Sequence, residues 1–406
     1  MVYFFIIFLL SFLVYYYDYK NNKQGRLFWL VFITIIFIII GGLHYRVGFD
    51  SITYERYFKE LPPISQLRYK DIETSRFAPG FIIFQSFTKQ FSKDLLLFNF
   101  LQSIFVCSVV TLFFNRNTKR PFFALLMFFF FLYTLLIFEQ VREAIAVSFF
   151  LLAWPYFIKK NWIIWYALSI CAMLFHTSAI FMLILPLILL PGINQLFVFG
   201  KRTLFLCAFV LILSFYLQYT FSKYIELLSF TKLTEDLASK YQNTHYVKGT
   251  LNIIGILSQI IKNVLLTYLA LYFVNKGMKN QFQNNVLLRL NSFVIISIFI
   301  SLISIGVPII SRFNNYFFFF SILIISDWVF DYIILNNKKI KFKFSYWLIL
   351  LIPFFSLQFY NTYYNSINKT GTYKTYMAYY PYTSYIDKEK DLNKEKVLQY
   401  SRRTTK

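Results

Sequence analysis

Long apolar blocks separated by short polar loops run along the whole chain. The first, Val2–Tyr17, has no basic stretch before it and no small-residue cleavage site after it, so it reads as a retained helix. Further blocks fall at about 27–43, 95–114, 121–138, 140–158, 162–176, 178–191, 203–220, 251–274, 286–305, 313–335 and 345–360. A spanning helix takes roughly 20 apolar residues, and about 17 is often enough. The pattern predicts an all-α, polytopic integral membrane protein with about 12 transmembrane helices, about 11–13 depending on how the short pair around His176 is divided. Residues 81–91 are too few and too polar to span, and predict an interfacial or re-entrant helix. Residues 1–360 read as one transmembrane domain with outer loops at 44–80 and 220–250, and 361–406 as a polar tail rich in Tyr and Lys.

Charge assigns the sides. Lys20, Lys23 and Arg26; Arg116, Lys119 and Arg120; Lys159 and Lys160; Lys201 and Arg202; Lys276 and Lys279; and Lys338, Lys339, Lys341 and Lys343 occupy alternate short loops. Loops rich in Lys and Arg stay in the cytoplasm. The loops at 44–80, 138–142, 176–177, 220–250 and 306–312, and the tail from 361, are then expected outside, as are both termini. The tail's own basic residues pull the other way, although long segments obey the charge rule weakly.

Composition narrows the class. Of 406 residues, 58% are hydrophobic and only 15% charged, against roughly 25% charged in soluble proteins. That excludes a disordered chain, a secreted disulfide scaffold and an ordinary soluble enzyme. The net charge of +23 does not mark a nucleic-acid binder, because the basic residues sit between apolar blocks and not on one soluble face. Cys107, Cys171 and Cys207 lie inside apolar stretches, and His44, His176 and His245 show no metal-ligand spacing. No metal site or cofactor is predicted, although one Mg²⁺ held by a single carboxylate leaves no sequence trace.

In so apolar a chain, ionisable residues at helix ends carry the information. Asp50 follows Gly48, where a helix can begin, and Asp50, Tyr54 and Phe58 then share one face. Asp50 suits an N-cap as well as a site, and Arg46 and Arg56 suit headgroup anchors. Glu139, Arg142 and Glu143 open the fifth block; an Arg in a first helical turn opposes the helix dipole unless an anion lies there. His176 lies between two apolar blocks, as a structural residue or a proton acceptor. Arg312 opens the eleventh block, with Tyr316 one turn on. The side assignment came from other residues, yet it places Arg46, Asp50, Arg56, Arg142, His176 and Arg312 on one outer face. Arginines with a carboxylate and an imidazole suit a phosphate or pyrophosphate group, whose oxygens Arg binds as a fork.

The pattern Arg46-x-Gly48-x-Asp50-x-x-x-Tyr54-x-x-x-Phe58, Arg142-x-x-x-Ala146, Phe175-His176-x-Ser178-Ala179 and Arg312-x-x-x-Tyr316 resembles the EpsG family of Wzy-type exopolysaccharide and O-antigen polymerases. The Pro381-Tyr382 pair is similar to a feature common there. Glu143 departs, since many members carry Gln after that arginine. The resemblance implies a glycosyltransferase of the bacterial inner membrane acting at its periplasmic face, with no cofactor. The implied partners are an undecaprenyl-pyrophosphate-linked oligosaccharide, membrane lipids and a Wzz-type chain-length regulator. By that resemblance Arg142 and Arg312, with Arg46 or Arg56, hold the pyrophosphate, and His176 or Asp50 accepts a sugar hydroxyl proton. Tyr54, Glu139 and Tyr316 line the substrate.

The main rival is a lipid-linked oligosaccharide flippase, which should hold ionisable residues at mid-membrane and not at one end. An O-antigen ligase wants the same arginines. A membrane acyltransferase needs a His with an acid deep in the fold, and only His176 is available.

Overall fold

The computed structural model describes residues 2–190, 200–227, 266–277, 285–307, 310–328, 372–388 and 391–404, with single positions at 260 and 264. The chain divides into two units, Met1–Pro186 with Thr362–Lys406, and Leu187–Asn361. Among the described residues the regular elements are helices, and an isolated antiparallel bridge joins His44 to Ser384.

In the first unit α1 (Val2–Leu13) continues through a π-helical turn to Tyr19, and α2 (Arg26–Leu43) follows. A short amphipathic α3 (Ser51–Glu60), a single turn α4 (Tyr69–Glu73) and α5 (Pro79–Phe91) precede α6 (Leu96–Asn117). Helices α2 and α6 run antiparallel. Arg26 Nη2 donates to the Lys119 carbonyl at 3.1 Å, Thr34 and Thr111 hydroxyls meet at 2.8 Å, and Asn99 Nδ2 reaches the His44 carbonyl at 3.4 Å. Gly42 allows this approach, because a Cβ there would enter the Phe100 ring.

Helix α7 (Pro121–Phe128) extends through π-helical turns to Glu139, and α8 (Val141–Ile158) runs back beside α6, Trp154 Nε1 donating to Asn117 Oδ1 at 3.3 Å. Loops 20–26 and 115–120 therefore gather at one end of this unit, and residues 44–50 and 139–142 at the other.

Among the described residues, four helices are long and apolar enough to cross a membrane: Val2–Tyr19, Arg26–Leu43, Leu96–Asn117 and Val141–Ile158. Phe4, Phe8 and Phe28 remain 71%, 74% and 65% exposed, a surface that suits lipid. The class is all-α and membrane-like, but the described residues do not reach twelve spans. α9 (Trp162–Phe175) has 14 residues, or about 21 Å at 1.5 Å per residue, short of the roughly 30 Å hydrocarbon core. The expected span 178–191 is not one α-helix either. It breaks into a 3₁₀ turn (Thr177–Ile180), α10 (Phe181–Ile184) and a second 3₁₀ turn (Leu185–Leu189). Block 345–360, most of 251–274 and the loop 228–250 lie outside the described residues.

Helix α5 does not span. Ser86 donates to the Pro62 carbonyl at 2.6 Å, and Lys89 Nζ to the Phe58 and Lys59 carbonyls at 2.6 and 2.7 Å. Phe81 and Phe84 pack on Phe98 at the start of α6. In the second unit α11 (Lys201–Leu227), α12 (Leu266–Gly277), α13 (Asn285–Gly306) and α14 (Ser311–Asp327) are described. Phe293 of α13 packs on Phe317 and Phe320 of α14.

Candidate active site

The site starts from a turn. Gly48 has φ +88°, a left-handed conformation that glycine adopts without strain. A Cβ there would also lie 3.0 Å from Glu139 Cγ and 3.0 Å from the Phe138 carbonyl. Ser51 closes the turn, its hydroxyl donating to the Gly48 carbonyl at 2.7 Å, and α3 begins. Asp50 occupies the N-cap position without a side-chain cap hydrogen bond, and it is exposed. Tyr54 and Phe58, one and two turns on, are 7% and 1% exposed, so the face they share is buried.

Glu139 ends the helix before α8. Its Oε1 accepts from the Phe49 N–H at 3.1 Å, and the Tyr379 hydroxyl also bonds its carboxylate. Burial pushes the Glu139 carboxyl up to about 7, against the pull of those two donors, and the nearby Asp50 charge adds to the rise.

Arg142 lies in the first turn of α8, with its guanidinium carbon 4.5 Å from the Phe77 ring centre and 5.9 Å from that of Phe81. Tyr54 links the two residues: its hydroxyl donates to the Glu139 carbonyl at 3.1 Å and accepts from Arg142. Burial raises the Tyr54 phenol to about 12, with Arg142 opposing. Arg142 Nε has no hydrogen-bond partner. A guanidinium held over aromatic faces with an N–H to spare is arranged to receive an anion.

The structure brings Asp50, Tyr54, Glu139 and Arg142 together, and the other expected residues take different places. Arg46 pairs with Glu55 at 2.8 Å and with Glu395 at 2.6 Å. Burial alone would push the Glu55 carboxyl up, but hydrogen bonds from Arg46 and Lys59 outweigh it and hold it low. Arg56 is exposed on α3, away from the buried face of Tyr54 and Phe58. His176 caps the turn after α9: its Nδ1 meets the Ser178 hydroxyl at 2.5 Å and accepts from the Ser178 N–H at 3.3 Å. Its neighbour Phe175 packs on Phe149 of α8 and Phe84 of α5, against the apolar cluster that also holds Tyr54 and Phe81. Glu143 is 2% exposed. Arg312 and Tyr316 belong to the second unit, where Arg312 is half-buried and Tyr316 fully buried in α14.

Sequence reasoning missed Phe77, Phe81 and Tyr379. In a chain with 53 Phe and 32 Tyr, no single aromatic stands out. Only the Pro381-Tyr382 pair pointed to the tail.

Long apolar helices mark a membrane protein, and at one end of its first unit Asp50, Tyr54, Glu139 and Arg142 come together. The chain belongs to the EpsG family, whose model matches residues 26–384, and members of that family are Wzy-like polymerases. No curated protein and no solved structure matches the chain.

Proposed function

We propose that the protein is a glycosyltransferase that polymerises bacterial surface polysaccharide from undecaprenyl-pyrophosphate-linked repeat units, at the periplasmic face of the inner membrane and within a bundle of about 12 spans. The observation that carries this reading is Arg142, seated on Phe77 and Phe81 beside Asp50 and Glu139, at the end opposite the basic loops. In the reaction, a hydroxyl of the incoming unit attacks the anomeric carbon of the chain bound to its lipid. The bond from that carbon to the pyrophosphate oxygen breaks, the new glycosidic bond forms, and undecaprenyl pyrophosphate leaves. Arg142 stabilises the charge developing on the leaving group, with Arg56 as a further cationic contact. Asp50, open to solvent, accepts the hydroxyl proton. Glu139 and Tyr54 position sugar, Arg46 organises the loop, and His176 caps the turn after α9.

Glycan profiling of a deletion strain tests this. Loss of a polymerase leaves single repeat units on the surface. A surface with none marks a flippase, and polymer made but unattached marks a ligase. For sidedness, Tyr69→Cys in the outer loop should react with a membrane-impermeant maleimide in intact cells, and Lys160→Cys should not. The opposite labelling would sink the periplasmic assignment.

A further inference from the structure

The C-terminal segment, which the sequence presents only as a polar tail, is built into the candidate site. The Gly48 N–H donates to the Ala378 carbonyl at 2.9 Å, the Tyr45 N–H to the Thr383 carbonyl at 2.9 Å, and the Tyr385 N–H to the Leu43 carbonyl at 2.8 Å. Tyr382 donates to the Ile40 carbonyl at 2.8 Å, and Tyr3 of α1 donates to the Tyr379 carbonyl at 3.1 Å. The last described helix, α15 (Leu392–Thr404), completes the latch. Its Glu395 pairs with Arg46, and its Lys394, 3% exposed, donates to the Pro381 carbonyl and the Thr383 hydroxyl, both at 2.9 Å. So many directed bonds hold one short stretch, and its Tyr379 sets its ring edge-on to Phe49 at 6.1 Å with its hydroxyl on the Glu139 carboxylate.

We infer that Tyr379 is a positioning residue for the reaction, holding the Glu139 carboxylate in a fixed orientation and charge, with Tyr54 linking that residue to Arg142. This inference rests on the polymerase reading. The groups that face the Glu139 carboxylate are Asp50 from the start of α3 and Tyr379 from the C-terminal segment, while Tyr54 bonds its backbone carbonyl and meets Arg142 of α8. Of these, Tyr379 is the side-chain donor on the carboxylate, and the Phe49 N–H is the backbone one. A hydrogen bond to a carboxylate favours its charged form. Removing the Tyr379 hydroxyl therefore moves the titration of Glu139 to higher pH, starting from about 7.

The test is the pH profile of chain lengthening by the purified full-length protein in lipid vesicles. Its substrate is undecaprenyl-pyrophosphate-linked repeat units extracted from the deletion strain. Tyr379→Phe should move the limb near neutral pH upward by about one unit, about tenfold in rate on the acid side. Glu139→Gln should abolish that limb, and the double variant should match Glu139→Gln with no added shift. Tyr380→Phe, next in the chain and half exposed, should keep the wild-type profile. If Tyr379→Phe does not accumulate, 3-fluorotyrosine at position 379 decides: as a stronger donor it should move the limb downward. A wild-type profile in Tyr379→Phe, or an unmoved limb with the fluorinated residue, overturns the inference while the polymerase reading stands. Wild-type protein that leaves the units single brings down both.

Discussion

At the basic-loop end of the first unit, Asp18 is 1% exposed, and its Oδ2 accepts from the Phe123 N–H at 2.7 Å. At the opposite end, Asp50 stands exposed at the start of α3. The arginines divide the same way. Arg120 donates to the Asp18 carbonyl at 2.5 Å and Arg26 to the Lys119 carbonyl at 3.1 Å, and both act on the buried Asp18 carboxyl, so these arginines tie α1, α2 and the 115–120 loop together. Arg142 instead lies over two rings beside an open carboxylate. Arg26 also leaves its Nε without a partner, so a spare N–H alone does not mark a site. What marks one is an accessible carboxylate next to a guanidinium supported by aromatic faces. On the proposed reading, the same residue types serve as an anchor at one end and as chemistry at the other.

That contrast can be broken by substitution. The largest losses should come from Asp50→Asn and Arg142→Ala, which remove about 10²–10³ in chain-lengthening rate with membrane accumulation nearly intact. Arg142→Lys keeps the charge but loses the fork, and should fall well below wild type. A wild-type rate in the Lys variant would make Arg142 an anchor like Arg120. Gly48→Ala strains a left-handed turn and pushes on Glu139, so it should cost about tenfold or more in rate, because small misplacements at a site are expensive. Arg120→Ala should do the reverse of Arg142→Ala. It removes a buried hydrogen bond worth about 1–3 kcal/mol, which lowers thermal stability in detergent while each surviving molecule works normally. A per-molecule loss there, measured against protein level, would erase the distinction between the ends. The smallest effect belongs to His176. As a cap it should lose about 1 kcal/mol in the Ala variant and less in the Asn variant, with turnover close to wild type. A turnover collapse in both would return the imidazole to the reaction.

Much of the first unit was legible because each signal was local. The runs ending at Leu43, Asn117 and Ile158 are long, apolar and bounded by charge, so helices α2, α6 and α8 follow from the pattern. Arg142 was legible as a cation in the wrong half of a helix dipole, and Tyr54 and Phe58 as one face of a helix starting near Asp50. Periodicity did not show that α9 stops after 14 residues or that 178–191 breaks into short turns, since apolar runs look alike whether or not they are continuous helix. Nor did it show what Arg46 does. Its carboxylate partner Glu395 lies 349 residues away, and a charge at a loop reads the same whether it waits for a ligand or holds a tail. Tyr379 was hidden for the same reason, as one tyrosine among many.

The most direct measurement combines the purified full-length protein in vesicles with lipid-linked repeat units from the deletion strain, read as a ladder on a gel alongside released undecaprenyl pyrophosphate. The account predicts a ladder and stoichiometric release from wild type, and single units with almost no release from Arg142→Ala. Single units from the wild type, or an equal ladder from Arg142→Ala, would contradict it.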